Sequence, residues 1–424
     1  MKKLFFYIAF ALGLASCSSA DNEDLISAPQ ESPEVSNDHR VTQAEAINLA
    51  MSFKNGSKGT VLSRSEESDA SDVENVVVVR WEDIYPGVPN PVINGDDPVS
   101  RGRVSGLDAR PMPVDTLFYV VNNKNNAGYT VVAADDRTDP IYAMIDKGNY
   151  HHGDWTGEKH TEYSIAIVDK AVEALIQDMG IYITVVDKRD DHVSEKDLQV
   201  QPPMIKTNFG RSTPLAEFFN EYYEGRYFHT LAVAVAQILS IKSTIPQNYP
   251  HDINWEQILT ECEENEGLPY SEESKRQIVE LISYLDNCLK NENWINSVMD
   301  NNLGAEEWFS TQNLSIMGFK DSSMKGIINS FTTDQLVCMY ISQGNYCKYF
   351  VIDGYTSLYY NSASGARKIA HLPHCNWGLN GEFNGYFLGR FFDYSDEYEN
   401  DYDEDTPPYL FNPEDCKYTT VLLP

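Results

Sequence analysis

The run Thr230-Leu231-Ala232-Val233-Ala234-Val235-Ala236-Gln237-Ile238-Leu239-Ser240-Ile241-Lys242 decides the reading of the fold. It is rich in alanine and valine almost all the way round, with no continuous polar stripe. A helix of that kind is buried, so it belongs at the centre of a domain. Further helices are expected over 255–261 and 273–289. Strand-like runs follow at 335–342, 348–352, 357–360 and 384–388. Helices first and antiparallel strands after them predict an α+β domain, placed at residues 202–424.

Working back towards the N-terminus, a smaller α+β unit is expected over 39–186. Thr42 with Glu45 three positions on has capping-box spacing, and Ala44, Ile47, Leu49, Ala50, Met51 and Phe53 supply the apolar side of the helix that follows. A strand is read at 76–81, a hairpin at 117–122 and 129–134 turning through 123–128, and a further strand at 141–145. Ile165, Val168, Val172 and Leu175 give a buried face to a helix over 163–178. Residues 187–201 are charged and aperiodic and read as an interdomain linker. Residues 90–113 and the acidic 393–405 read as exposed loops.

The first residues carry a different signal. Lys2 and Lys3 precede an apolar stretch over 4–14, and Leu14-Ala15-Ser16-Cys17 follows. Residues 1–17 read as a signal peptide, too short to span a bilayer. The small residues before Cys17 resemble the lipobox of bacterial lipoproteins. The resemblance implies that Cys17 becomes the lipidated first residue of the mature chain, holding it to a membrane in the bacterial cell envelope. Polar, acidic residues 18–38 then form a flexible tether.

Composition narrows the partners. The 424 residues carry a formal charge of −32, which repels phosphate backbones and argues against nucleic acid. A hydrophobic content of 42% suffices for real cores. Beyond Cys17 the cysteines are Cys262, Cys288, Cys338, Cys347, Cys375 and Cys416, whose spacings fit no zinc pattern. No metal or cofactor is expected.

Three segments of the second domain stand out, in order: His229-Thr230-Leu231-Ala232-Val233-Ala234-Val235-Ala236-Gln237-Ile238, then Lys348-Tyr349-Phe350-Val351-Ile352-Asp353-Gly354-Tyr355, then His374-Cys375-Asn376-Trp377-Gly378-Leu379-Asn380-Gly381-Glu382-Phe383-Asn384-Gly385-Tyr386-Phe387. Together they resemble the streptopain family of papain-like cysteine peptidases. The first is similar to the family helix that carries the nucleophile at its N-terminus. The second is similar to the segment that carries the catalytic histidine, and the third to the element that carries the orienting asparagine. The first domain resembles the propeptide of that family, the Spi inhibitor domain, through the helix at 42–53, Gly128-Tyr129-Thr130-Val131-Val132 and Ala134-Asp135-Asp136-Arg137.

The resemblance implies a papain-like fold behind a propeptide-like domain. It places Thr230 at the nucleophile position, Lys348 at the base position and Asn376, followed by Trp377, at the orienting position. A looser match of Phe209-Gly210-Arg211 puts Arg211 at the oxyanion position. Such a peptidase works through a thiolate activated at a helix N-terminus and an imidazole that protonates the leaving amine. An alcohol ionises far less readily than a thiol, and an amine replaces the imidazole. The expectation is an inactive homologue, a pseudopeptidase that binds peptides, a protein partner or an active streptopain-like peptidase without cleaving them, and that leaves its own linker uncut.

Two alternatives remain open. Thr230 and Lys348 resemble Ser–Lys and Thr–amine dyads, which would make an active enzyme if Lys348 were neutral. The N-terminal domain would act in trans as a protease inhibitor. Lys348 is expected as a solvated charge paired with an acidic lip. Cys347 and Cys375 are expected to face away from the site as small core residues. His374, on the face of Asn376, is given a structural role.

Overall fold

In the computed structural model the described residues are 40–57, 72–84, 116–136, 138–151, 198–210, 230–264, 270–291, 315–316, 319–333, 335–343, 346–361, 367–392 and 416–422, with 87, 215 and 310. The expected signal peptide, Cys17, the tether, the helix at 163–178, the acidic loop, Arg211 and His229 lie outside them.

Helix α1 (Gln43–Ser57) begins where the capping box predicts. Glu45 N–H donates to Thr42 Oγ1 at 3.2 Å and Thr42 N–H to a Glu45 carboxylate oxygen at 2.7 Å, satisfying two donors that the helix leaves open. Its buried side, Ala46, Leu49, Ala50, Met51 and Phe53, packs on strands β1 (Val73–Arg80), β2 (Thr116–Asn123) and β3 (Tyr129–Ala133). Trp81, expected to end β1, instead opens a short helix α2 (Trp81–Ile84), where Arg80 N–H donates to Asp83. The β2–β3 hairpin turns through Asn125, at φ 60°, and Gly128, at φ 84°. A Cβ on Gly128 would lie 1.9 Å from the Ile145 carbonyl oxygen, so only glycine lets the turn meet strand β4 (Ile141–Ile145).

The second half starts with β5 (Leu198–Gln201), which pairs with the long strand β9 (Tyr346–Asn361) and corrects the linker reading for those four residues. Leu-Gln-Val-Gln alternates apolar and polar, too briefly to stand out among charges, and it is the ladder on β9 that fixes it. Helices α3 (Thr230–Ile241), α4 (Trp255–Glu264) and α5 (Glu272–Asn291) follow, then β6 (Ser315–Ile316), β7 (Lys320–Asp321) and α6 (Met324–Phe331). The remaining strands are β8 (Gln335–Gln343), β9 (Tyr346–Asn361), β10 (Arg367–Asn376), β11 (Gly385–Phe387) and β12 (Cys416–Leu422).

Two runs read separately, 348–352 and 357–360, are one strand. Gly354 between them carries the ladder on because its bare Cα admits the backbone of Gln201 and Pro203, with a hypothetical Cβ only 2.7 Å from Gln201 O. Strands β10 and β12 escape the sequence reading. Pro373 and the charges at the start of β10 blur its alternation, although Pro373 sits within the strand opposite Tyr355.

Among the described residues the strands pair antiparallel, in the order β1-β2-β3-β4-β11-β10-β9-β8-β12-β6. The described residues thus form the expected α+β arrangement, within one compact unit, His39–Pro424. Alternation along β8 and β9 divides two cores. Val337, Met339, Phe350 and Ile352 join α1, α6 and β2–β4. Cys338, Tyr340, Tyr349 and Val351 join α3, α4 and α5. Helix α3 is buried from Leu231 to Ser240, as its composition requires.

Candidate functional site

Thr230 is the first residue of α3 and reaches β9 directly. Its Oγ1 accepts a hydrogen bond from the Tyr349 backbone N–H at 2.8 Å. Thr230 and the strand segment that carries Lys348 therefore meet through backbone, one residue from Lys348. The Lys348 side chain alternates with Tyr349 and shares the face of β9 with Phe350. Its Nζ sits 5.3 Å from the centre of the Trp377 ring, a cation–π distance, and Trp377 in turn packs on Phe350 at 4.3 Å. Lys348 is 1% exposed. That corrects the expectation of a solvated charge on an acidic lip: the long stem is enclosed by the aromatic core that Trp377, Phe350 and Phe392 build.

Asn376 closes β10 and turns towards α3. Its Oδ1 accepts from Gln237 Nε2 at 2.6 Å and from Gly378 N–H at 3.3 Å, and its Nδ2 donates to Thr207 O at 3.4 Å. The Trp377–Asn384 turn is then pinned from below. Asn384 Oδ1 accepts from Trp377 N–H at 3.0 Å, and Asn380 N–H donates to Phe209 O at 3.2 Å. Phe209 is fully buried between Trp255 and Tyr270. The segment of the looser motif thus anchors the turn.

His374 was expected on the face of Asn376, but the β9–β10 ladder shifts register between His374 and Cys375, and the two residues engage different partners. His374 Nδ1 lies 2.5 Å from Asp353 Oδ1, and Nε2 lies 2.9 Å from Asp146 Oδ2. Burial alone would depress the imidazole pKa; the Asp353 and Asp146 carboxylates outweigh it and push it up to about 10. His374 is an imidazolium at neutral pH and bridges two anions. Asp353 also accepts from Ile205 N–H at 3.0 Å. This triad went unread in the sequence because Asp146 stands more than two hundred positions from its partner.

Three of the described thiols are held protonated by burial. Burial pushes up the pKa of Cys262, of Cys375 and of Cys338, the last to about 12. Cys375 belongs to the core, as expected, while the side chain of Cys347 is not among those described. Among the described residues no cluster of three or more histidine, cysteine or carboxylate side chains has a metal-binding arrangement.

Residues 38–159 match the Spi protease inhibitor family. They span α1, β1–β4 and the strand end that carries Asp146, the first half of the sheet. The match agrees with the resemblance of the first domain to the Spi inhibitor domain. Among solved structures, a fragment of prointerpain A from Prevotella intermedia is similar, at 15% identity and a TM-score of 0.44, over 72% of this chain and 94% of that one. No curated protein sequence matches the chain.

Proposed function

We propose that this chain is a pseudopeptidase: a streptopain-type precursor homologue that has kept its Spi domain, lost its peptidase chemistry, and acts by binding a peptide or a protein partner, an active streptopain-like peptidase among the candidates. The observation that carries this reading is the state of the nucleophile position. The Thr230 hydroxyl is engaged as a hydrogen-bond acceptor for the Tyr349 backbone, a structural use, and the Lys348 amine is buried over the Trp377 ring. An unactivated alcohol at a helix N-terminus does not supply the thiolate that this chemistry requires. Inhibition in trans by the Spi domain is less favoured, because that domain already occupies a partner in its own chain, through β4 on β11.

The reading includes export as a lipoprotein, anchored through Cys17 to the cell envelope. Purified protein incubated with casein and with a thiol-directed peptidase probe is the test. No cleavage and no labelling are expected. Hydrolysis that disappears in Thr230→Ala would establish the rearranged enzyme instead.

A further inference from the structure

We propose that Asp146 sets the register in which the Spi domain docks on the rest of the chain, by placing its carboxylate on the buried His374–Asp353 pair. The inference holds whether or not the chain cleaves peptides, since it concerns how the two halves recognise each other.

Among the described residues the two halves share a sheet through one short ladder. Gly385, Tyr386 and Phe387 pair with Ile145, Met144 and Ala143, and the ladder is extended by Asp146 N–H to Asn384 O and Leu388 N–H to Tyr142 O, each at 2.9 Å. Strand β4 reads Ile-Tyr-Ala-Met-Ile and is buried at every position. Apolar side chains on both faces specify register weakly, because a slip by two residues returns each one to its own face against another apolar surface. Such a slip moves the strand end by about 7 Å. Asp146 is the first charged residue beyond β4, and in the observed register it lands 2.9 Å from His374.

His374 is 3% exposed and Asp353 wholly buried, so a slipped register would leave the bridge one carboxylate short. Removing one partner from a buried charged group costs far more than the intact pair contributes, which makes buried ion pairs registration devices more than sources of stability. The other groups around the bridge do not compensate. Tyr386 on β11 meets the imidazole edge-on at 4.9 Å, and burial holds its phenol neutral. The adjacent Cys375 thiol is likewise held neutral by burial. Asp353 approaches from β9 and Asp146 from the end of β4; among the described residues these two supply the charge that faces His374.

The test is site-resolved amide hydrogen exchange on the full chain and its Asp146→Asn variant. That substitution keeps shape at a position 38% exposed and removes only charge. Exchange in β4 and β11 is expected to rise about tenfold or more, with β2, β3 and α3 unchanged. His374→Gln should reproduce the pattern, and Asp146→Glu should restore part of the protection. Unchanged β4 and β11 protection in Asp146→Asn would overturn the proposal, and so would an equal rise in every element. Should His374→Gln fail to fold, Asp146→Asn and Asp146→Glu still decide it.

Discussion

Thr230 Oγ1 takes up the Tyr349 N–H at 2.8 Å, just beyond the point where β10 ends opposite Val351. Helix α3 thus finishes the edge of a strand that its neighbour has left. A residue whose position resembles that of a nucleophile serves as a cap between helix and sheet.

Thr230→Val keeps the shape and removes the acceptor, leaving a part-buried N–H without its partner. A loss of about 1–3 kcal/mol follows from the cost of an unsatisfied buried donor. Thr230→Ser should retain most of the stability. Urea unfolding of the three proteins checks this, and a valine variant as stable as the serine one would remove the capping role.

Thr230→Cys combined with Lys348→His should not produce peptidase activity. In a Thr230→Cys, Lys348→His double variant the new imidazole starts from a side chain directed to the Trp377 side. The orienting amide is also committed, since Asn376 Oδ1 already takes Gln237 at 2.6 Å. Catalysis is sensitive to displacements of the order of 1 Å. Casein hydrolysis is expected to stay at background; turnover by the double variant would mean that only two substitutions separate this chain from an enzyme.

How much of this was legible beforehand depended on the range of the interaction. The capping box at Thr42 and Glu45, the β2–β3 hairpin and the buried α3 rest on neighbours within a few residues, and periodicity reveals them. Strand β5 and the continuity of β9 through Gly354 depend on a backbone approach from 150 residues away. The burial of Lys348 was misjudged for a similar reason. Lysine alone says solvent, and only the alternation of β9 together with the fold of the Trp377 turn encloses it. The Asp146–His374 bridge joins two domains, so no local pattern carries it.

The bridge gives stability a pH dependence of known sign. His374 in the folded chain is raised to about 10, above the ordinary value of about 6.5 that it regains on unfolding. The native state therefore holds the proton more tightly. The contribution is complete below about pH 6.5 and is lost as pH rises through about 10. Melting temperatures between pH 6 and 10.5 should fall for the wild type relative to Asp146→Asn. Parallel curves for the two proteins would exclude His374 as the source.

Two glycines separate backbone strain from packing at the candidate site. Gly148 has φ 85° with no atom within 4 Å of a hypothetical Cβ, so Gly148→Ala bears only the left-handed penalty of about 1–2 kcal/mol. Gly378 has φ 67°, and its Cβ would lie 2.9 Å from Val233 Cγ1 on α3. Gly378→Ala must bear the same penalty and also displace Val233, which is 1% exposed on a helix with little room to move. It should therefore lose more stability than Gly148→Ala when both are unfolded in urea. The difference measures how tightly the Trp377 turn sits on the helix that begins at Thr230. Equal losses would mean that the turn yields to the added methyl group.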